Sequence, residues 1–146
     1  MFQISLTIAQ VRPDREKCDH HRRDYEAGCD SLSVFLVSCR WDDYDKYKNA
    51  DAKKVLHFPG FSNDAAKLLA EDRNIAGIGI DTLSVDYGMS TDFMVHHISH
   101  GKGKFHLENV ANLGSLPPTG AFVVVAPIKV ENGTGGPARI FALIKK

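Results

Sequence analysis

The stretch of this chain whose side chains are best suited to metal binding or proton transfer is residues 95–109, VHHISHGKGKFHLEN. It holds four of the seven histidines and a glutamate: His96, His97, His100, His106 and Glu108. On a helix over 92–100, His96 and His100 would share one face at a spacing that lets two imidazoles bind one metal ion. His97 would point elsewhere. Since the glutamate of an H-E-x-x-H motif is missing, histidines that only cover a helix C-terminus are the alternative.

A mixed α/β fold is predicted to position these residues. Apolar and β-branched runs predict strands at 32–40, 75–80, 121–130 and 138–144, the last two joined as an antiparallel hairpin by ENGTGG. Helices are predicted at 62–72, capped by Ser62 or Asn63, at 90–100, opened by Ser90 or Thr91, and in the polar segment 14–30. The order strand, helix, strand over 32–80 favours a crossover unit with parallel strands.

Three further polar residues lie where a ligand or a turn would use them. Asp81 follows a predicted strand, and the carboxyl ends of strands are where ligands gather in α/β sheets, but a turn aspartate is the alternative. We expect Asp81 and Asp86 to accept hydrogen bonds from loop amides. His57, in HFPGFS, could approach a substrate, although the Pro-Gly turn is sufficient reason for that motif.

Composition narrows the class of protein. The chain has 146 residues, 43% of them hydrophobic, which suits a single domain with a real core. Eighteen basic and eighteen acidic side chains balance, so a nucleic-acid partner is not expected. The longest apolar run, 121–128, is too short to cross a membrane. Three cysteines without a C-x-x-C and no secretory signal in 1–10 predict a reducing, cytoplasmic location.

Residues 57–143 resemble the C-terminal half of the cyclase family of metal-dependent hydrolases, which includes kynurenine formamidases and isatin hydrolases. The resemblance is carried by HFPGFS (57–62), GIGIDTLSVDYG (77–88), DFMVHHISHGKGKFHLENVANLGSLP (92–117) and GGPARIFAL (135–143). Residues 14–56 match more weakly, and 1–13 do not resemble the start of a family domain. The expected organisation is a single cyclase-like domain over 1–146.

The resemblance implies a swivelling β/β/α fold, an oligomer, and a zinc or manganese ion that activates water against a small-molecule amide. In family members with two metal ions, a histidine and a glutamate twelve positions later complete the site. The matching residues are His96, as a metal ligand and catalytic residue, and Glu108, as a ligand or general base. His100 and His106 fall at positions to which the family gives no role.

The principal metal motif of the family, H-x-G-T-H-x-D-x-P-x-H, has no match in residues 1–56. His20, His21 and Asp24 have similar residue types but not the spacing of that motif, and we interpret them as a polar helix face. Two ligands are fewer than the three that catalytic zinc sites use. Whether the chain is an enzyme is therefore left open. One hypothesis is an arylformamidase-type hydrolase of N-formylkynurenine or a cyclic amide, whose missing half comes from another chain or a longer form. The other is an inactive homologue that serves as a scaffold or interaction subunit.

Overall fold

The structure is a computed structural model that describes residues 5–10, 17–18, 33–39, 47–73 and 75–144. Its strands are β1 Ser5–Gln10, β2 Lys17–Cys18, β3 Val34–Ser38, β4 Gly60–Phe61, β5 Gly77–Ile80, β6 Phe105–Leu107, β7 Thr119–Pro127 and β8 Ala138–Leu143. The helix α1, Asn63–Lys67, continues into a π-helical turn at Leu68–Asp72, α2 spans Met94–Gly101, and a 3-10 turn lies at Leu113–Ser115.

The main sheet joins a parallel part to an antiparallel part. Its strand order is β6-β5-β3-β1-β7-β8, and β2 pairs with β4 in a separate two-stranded sheet. Strands β1, β3, β5 and β6 run parallel, while β7 pairs antiparallel with both β1 and β8. The predicted crossover β3-α1-β5 and the C-terminal hairpin are both confirmed. The segment 1–13, set apart by the family resemblance, contains β1, whereas the proposed division of the domain stays a prediction.

Strand β3 separates two apolar clusters because its side chains alternate between the faces of the sheet. Phe35 and Val37 belong to the cluster on the side of α1 and α2, which also contains Leu69 and Val95. Val34 and Leu36 belong to the opposite cluster, which continues into β7 and the 3-10 turn. All five residues of β3 are buried, so this strand is the centre of the core.

Close packing also explains the two glycines of β5. A Cβ atom at Gly79 would lie 2.5 Å from Leu36 Cδ2 and 2.9 Å from the carbonyl oxygen of Leu107. At Gly77 it would lie 2.7 Å from the Phe105 ring. Neighbouring atoms thus leave no room for a side chain at either glycine, and β6 packs tightly against β5.

The helix starts show one prediction confirmed and one corrected. The Ser62 hydroxyl accepts a hydrogen bond from the Ala65 amide at 3.2 Å, as expected of an N-cap residue. The second helix does not open at Ser90 or Thr91; it begins at Met94, after Phe93 with a φ of 49°. Its first amides are satisfied by the Asp86 carboxylate, a partner from the preceding loop that local capping rules do not consider.

The N-terminal helix prediction is wrong for Lys17–Cys18, which pair in parallel with Gly60–Phe61 as strand. The remainder of 14–30, which contains His20, His21 and Asp24, lies outside the described residues. Among the helices of the described ranges, none has the length and apolar character needed to cross a bilayer.

Candidate metal centre

A tight return of the chain after α2 brings the histidines together. Gly103 adopts a φ of 69° and its amide donates to the His100 carbonyl at 2.9 Å. The Lys104 amide donates to the Ser99 carbonyl at 3.0 Å. This pattern is typical of an α-helix that is terminated by a residue in the left-handed backbone conformation. The chain then enters β6, where His106 pairs with Ile78 of β5. His106 and Glu108 are thereby placed beside the helix that carries His96 and His100.

His96 lies between two carboxylates. Its Nδ1 is 2.5 Å from Asp86 Oδ2, and its Nε2 is 3.5 Å from Glu108 Oε1. Asp86 is 3% exposed, and it also accepts hydrogen bonds from the amides of Val95 at 2.9 Å and His96 at 3.3 Å. One buried carboxylate thus fixes both the start of α2 and the orientation of the His96 ring.

Glu108 is held on the other side of that ring. Its Oε1 accepts a hydrogen bond from the Val85 amide at 3.0 Å. The next two residues are tied to the end of β5, because the Asn109 amide donates to the Thr82 carbonyl and the Val110 amide to the Ile80 carbonyl. The Glu108 side chain is still 29% exposed, so one side of the carboxylate is open to solvent or to a ligand.

The contacts of His96 define what its two nitrogens can do. An ionised carboxylate only accepts hydrogen bonds, so Nδ1 carries a proton toward Asp86. Nε2 then presents a second proton or a lone pair to Glu108. With a lone pair, two acceptors face each other across 3.5 Å, an arrangement that a cation between them would stabilise.

A second group of contacts surrounds His106. The Ser99 hydroxyl donates to the Val95 carbonyl at 2.6 Å, so its oxygen is free to accept the short hydrogen bond from His106 Nε2. The other ring nitrogen, Nδ1, is buried and has no hydrogen-bond partner in the described part of the chain. His106 therefore presents an unused lone pair inside the site.

The three imidazoles contact one another. The rings of His100 and His106 are stacked with centroids 4.0 Å apart, and the His96 ring meets His106 edge-on at 4.6 Å and His100 at 5.5 Å. Burial, reinforced by His100 and His96, lowers the pKa of His106 to about 3. Near neutral pH this imidazole is uncharged, the form that binds metal ions.

Tyr47 shares the electrostatic environment of the site. Burial raises the pKa of the Tyr47 phenol, and the negative charge of Glu108 raises it further. The phenol therefore keeps its proton at neutral pH and can serve as a hydrogen-bond donor.

The donor set fits a metal ion. One ring nitrogen from each of His96, His100 and His106 lies within 4.8 Å of the others, and this is the only such group of three among the described residues. Imidazole nitrogens suit zinc and other borderline divalent cations, and carboxylates such as Glu108 suit zinc or manganese.

Other residues singled out by the sequence have structural contacts. Asp81 accepts hydrogen bonds from the Cys39 amide at 2.9 Å and the Ser38 hydroxyl at 3.2 Å, which ties the ends of β3 and β5 together. His57 Nε2 lies 3.2 Å from Asp51 Oδ2, in a solvent-exposed loop. His97 is exposed on α2 and is not one of the three histidines whose ring nitrogens cluster, in line with the expectation that it points elsewhere.

Sequence reasoning missed part of the site. Helical spacing related His96 to His100, but His106 lies on β6, beyond the reach of a helical repeat. Asp86 was expected to bind loop amides, which it does, while its contact with the His96 ring depends on the path of the intervening loop. Both residues lie within the segments that carry the family resemblance, 77–88 and 92–117, but their spacing along the chain does not relate them to His96.

Comparison with known proteins agrees with this fold. The model of a family described as "Putative cyclase" matches residues 6–87. An isatin hydrolase from Roseibium aggregatum is 37% identical over 114 residues, which are 73% of this chain and 43% of that protein. This chain therefore spans less than half the length of that curated relative.

Solved structures extend the match to almost the whole chain. Isatin hydrolase A from Labrenzia aggregata aligns with a TM-score of 0.89 at 28% identity, over 99% of this chain and 62% of that one. An isatin hydrolase bound to the product analogue thioisatinate aligns with a TM-score of 0.86 at 28% identity, over 99% and 61%. Isatin hydrolase A from Ralstonia solanacearum gives 0.76 at 27% identity, over 95% and 54%.

Proposed function

Because this chain belongs to the cyclase family, we propose that it is the metal-binding, base-carrying part of a metal-dependent hydrolase that opens a cyclic amide. The observation that carries the proposal is the position of His96, held by Asp86 at Nδ1 and facing Glu108 at Nε2. A carboxylate behind a ligating imidazole is the usual way in which proteins orient a metal-binding histidine.

In this proposal His96 and Glu108 bind a zinc or manganese ion together with ligands that residues 1–56 do not supply. When bound, the ion supplies a Lewis acid that polarises the amide carbonyl and makes a water molecule more acidic. The H-x-G-T-H-x-D-x-P-x-H motif of the family would come from another chain or from a longer form of this protein. A pair of ligands alone is fewer than the three that catalytic zinc sites use, so activity should require that contribution.

The residues of this chain have distinct roles in the proposed reaction. Glu108 accepts a proton from the attacking water, whose oxygen forms a bond to the carbonyl carbon. The C–N bond of the ring then breaks and the proton passes to the departing nitrogen, which leaves an amine and a carboxylic acid on one product. The acid ionises and releases the second proton of the water to solvent. Asp86 is a positioning residue, since it keeps the His96 ring in one tautomer and orientation.

Among the substrates considered, the comparisons favour a cyclic amide over N-formylkynurenine. The curated relative and the three similar solved structures are isatin hydrolases, and isatin is a cyclic amide fused to an aromatic ring. The exposed Phe93 ring, 53% accessible, packs edge-on to His96 at 6.3 Å and offers an apolar contact for such a ring.

The test measures metal content and ring opening of isatin, with N-formylkynurenine as the competing substrate, before and after zinc or manganese is added. The chain is assayed alone and mixed with a cyclase-family fragment that carries the missing motif. We expect activity only in the mixture, and its loss in His96→Ala and Glu108→Gln. His97→Ala is the matched control, because His97 is exposed one position away on the same helix.

Two outcomes would refute the enzyme proposal. One is turnover that is unchanged in Glu108→Gln. The other is an inactive mixture in which both parts are folded and associated. Preference for N-formylkynurenine would leave the site assignment in place and correct the substrate.

The second candidate is an inactive homologue that acts as a scaffold or interaction subunit. It is favoured by the absence of the principal metal motif from the sequence and by apolar side chains on the outer strand β8: Phe141 and Leu143 are 50% and 60% exposed. Exposed apolar strand edges promote association with other chains. Light scattering that gives a stable monomer would contradict both this candidate and the expected oligomer.

A further inference from the structure

We infer that His96, His100 and His106 form a second metal site, which binds a divalent cation of the zinc, cobalt or nickel type with residues of this chain alone. It differs from the site in the proposed function because it uses three imidazoles and not Glu108. The two sites share His96, so a cation held by the three histidines would draw His96 Nε2 away from Glu108.

Contacts on the outer side of the His96 and His100 rings fix where each neutral ring carries its proton. The Asp86 carboxylate and the Lys104 carbonyl, the latter 3.0 Å from His100 Nδ1, can only accept hydrogen bonds. In their neutral forms, His96 and His100 therefore carry the proton on Nδ1 and the lone pair on Nε2. Metal-ligating histidines in proteins have this type of outer partner almost without exception.

His106 completes the set with the opposite tautomer. Since the Ser99 hydroxyl proton is committed to the Val95 carbonyl, Ser99 accepts the Nε2 proton of His106. The lone pair is then on Nδ1, the buried atom that has no hydrogen-bond partner in the described part of the chain. An unsatisfied buried nitrogen is costly unless something binds it, and a cation in the site would do so.

The spacing of the three rings is close to what one metal ion requires. Tetrahedral zinc with bonds of about 2.0–2.1 Å to nitrogen requires nitrogens about 3.3 Å apart. One nitrogen of each ring lies within 4.8 Å of a nitrogen of the other two, so these donors must approach one another by at most about 1.5 Å. His100 can make this adjustment because it is exposed and lies in the last turn of α2. It must rotate out of its stack on His106 to aim its lone pair at a shared ion.

The chemistry of the donors selects the class of ion. Three neutral imidazoles suit borderline divalent cations, whereas manganese and magnesium prefer oxygen ligands. A His₃ set leaves the fourth tetrahedral position open to water or to an anionic ligand. We therefore expect zinc and cobalt to bind and magnesium not to bind.

The experiment titrates the full chain, freed of metal by a chelator, with Co²⁺ and follows the visible absorption bands of tetrahedral cobalt; Zn²⁺ is then added in competition. We expect one ion per chain. His100→Ala should weaken Co²⁺ binding at least about tenfold, because one of three ligands is lost. His97→Ala and Glu108→Gln should each leave the affinity within about threefold.

His106→Asn is a second ligand variant, and circular dichroism reports whether it folds; His100→Ala keeps the test decisive if it does not. No saturable binding below about 1 mM Co²⁺ would overturn the inference. So would affinity that is unchanged in His100→Ala. Binding that is lost in Glu108→Gln but kept in His100→Ala would overturn it as well, while supporting the family-type site. The amide-opening assay depends on Glu108, whereas the Co²⁺ titration depends on His100. Each proposal can therefore fail without the other.

Discussion

Replacement of Asp86 by asparagine tests whether one buried carboxylate organises both the helix and the site. Asp86 accepts three hydrogen bonds: from the Val95 amide at 2.9 Å, from the His96 amide at 3.3 Å and from His96 Nδ1 at 2.5 Å. Asparagine keeps the shape and one oxygen, but it places an NH₂ group against at least one donor and removes the charge.

The magnitude follows from these contacts. Hydrogen bonds to a charged group contribute about 1.5–3 kcal/mol each, and a buried donor left unpaired costs about 1–3 kcal/mol. With one oxygen of Asp86 retained, we expect Asp86→Asn to lower the free energy of unfolding by about 3 kcal/mol. At a urea m-value of about 2 kcal/mol per molar, the unfolding midpoint should fall by about 1.5 M.

Urea unfolding followed by circular dichroism measures this change. Asp92→Asn is the matched control: it is the same substitution just before the same helix, at an exposed residue. Among the described residues, its carboxylate accepts one hydrogen bond, from the Ser90 hydroxyl at 3.2 Å. The control should stay within about 0.5 kcal/mol of the unmodified chain. If the two variants unfold at the same urea concentration with equal m-values, Asp86 does not organise the helix start and the reasoning is wrong.

Two further predictions concern packing and pH. Gly60→Ala should lower the free energy of unfolding by about 2 kcal/mol or more, because its Cβ would lie 2.3 Å from a main-chain nitrogen. The Cβ of Gly101→Ala would meet nothing within 4 Å, so this control should be neutral or stabilising. The urea unfolding midpoints of the two variants test the prediction. The pKa of His106 is lowered from 6.5 to about 3 in the folded chain, so between these pH values the unfolded chain binds more protons. The contribution of His106 to the free energy of unfolding is therefore full above pH 6.5 and is lost as the pH falls toward 3. The slope, at most about 1.4 kcal/mol per pH unit and less for a partly exposed ring, should shrink in His106→Asn but not in His97→Asn, and an NMR titration of His106 near 6.5 would contradict it.

Much of the fold could be predicted because local patterns and tertiary contacts agree. Strand β3 lies within a continuous apolar run that is buried on both faces, and Ser62 caps α1 as its position suggests. The start of α2 could not be read in this way. Ser90 and Asp92 are good capping residues, but they hydrogen-bond to each other, and the helix is capped by Asp86. The contact between Asp86 and the first amides of α2 thus takes the place of the local cap that Ser90 was expected to provide.

The residues of the candidate site also differ in whether the sequence could identify them. Family order identified His96 and Glu108, and the fold brings them within 3.5 Å of each other. Their metal-binding roles stay a prediction until metal is measured. His106 could not be assigned to the site from spacing, because its proximity to His96 depends on the reversal at Gly103 and on the pairing of β6 with β5.

The central position of β1 has a consequence for how the molecule reaches its fold. Leu6 pairs with Val34, whereas Ser5 pairs with Phe122 on the other side of the same strand. During synthesis, β1 can acquire its parallel partner early, but its second edge stays open until nearly the whole described chain has been made. Contacts between such distant residues slow folding. Among the described strands that end up between two neighbours in this sheet, β1 is thus the one whose second edge waits longest in sequence for its partner.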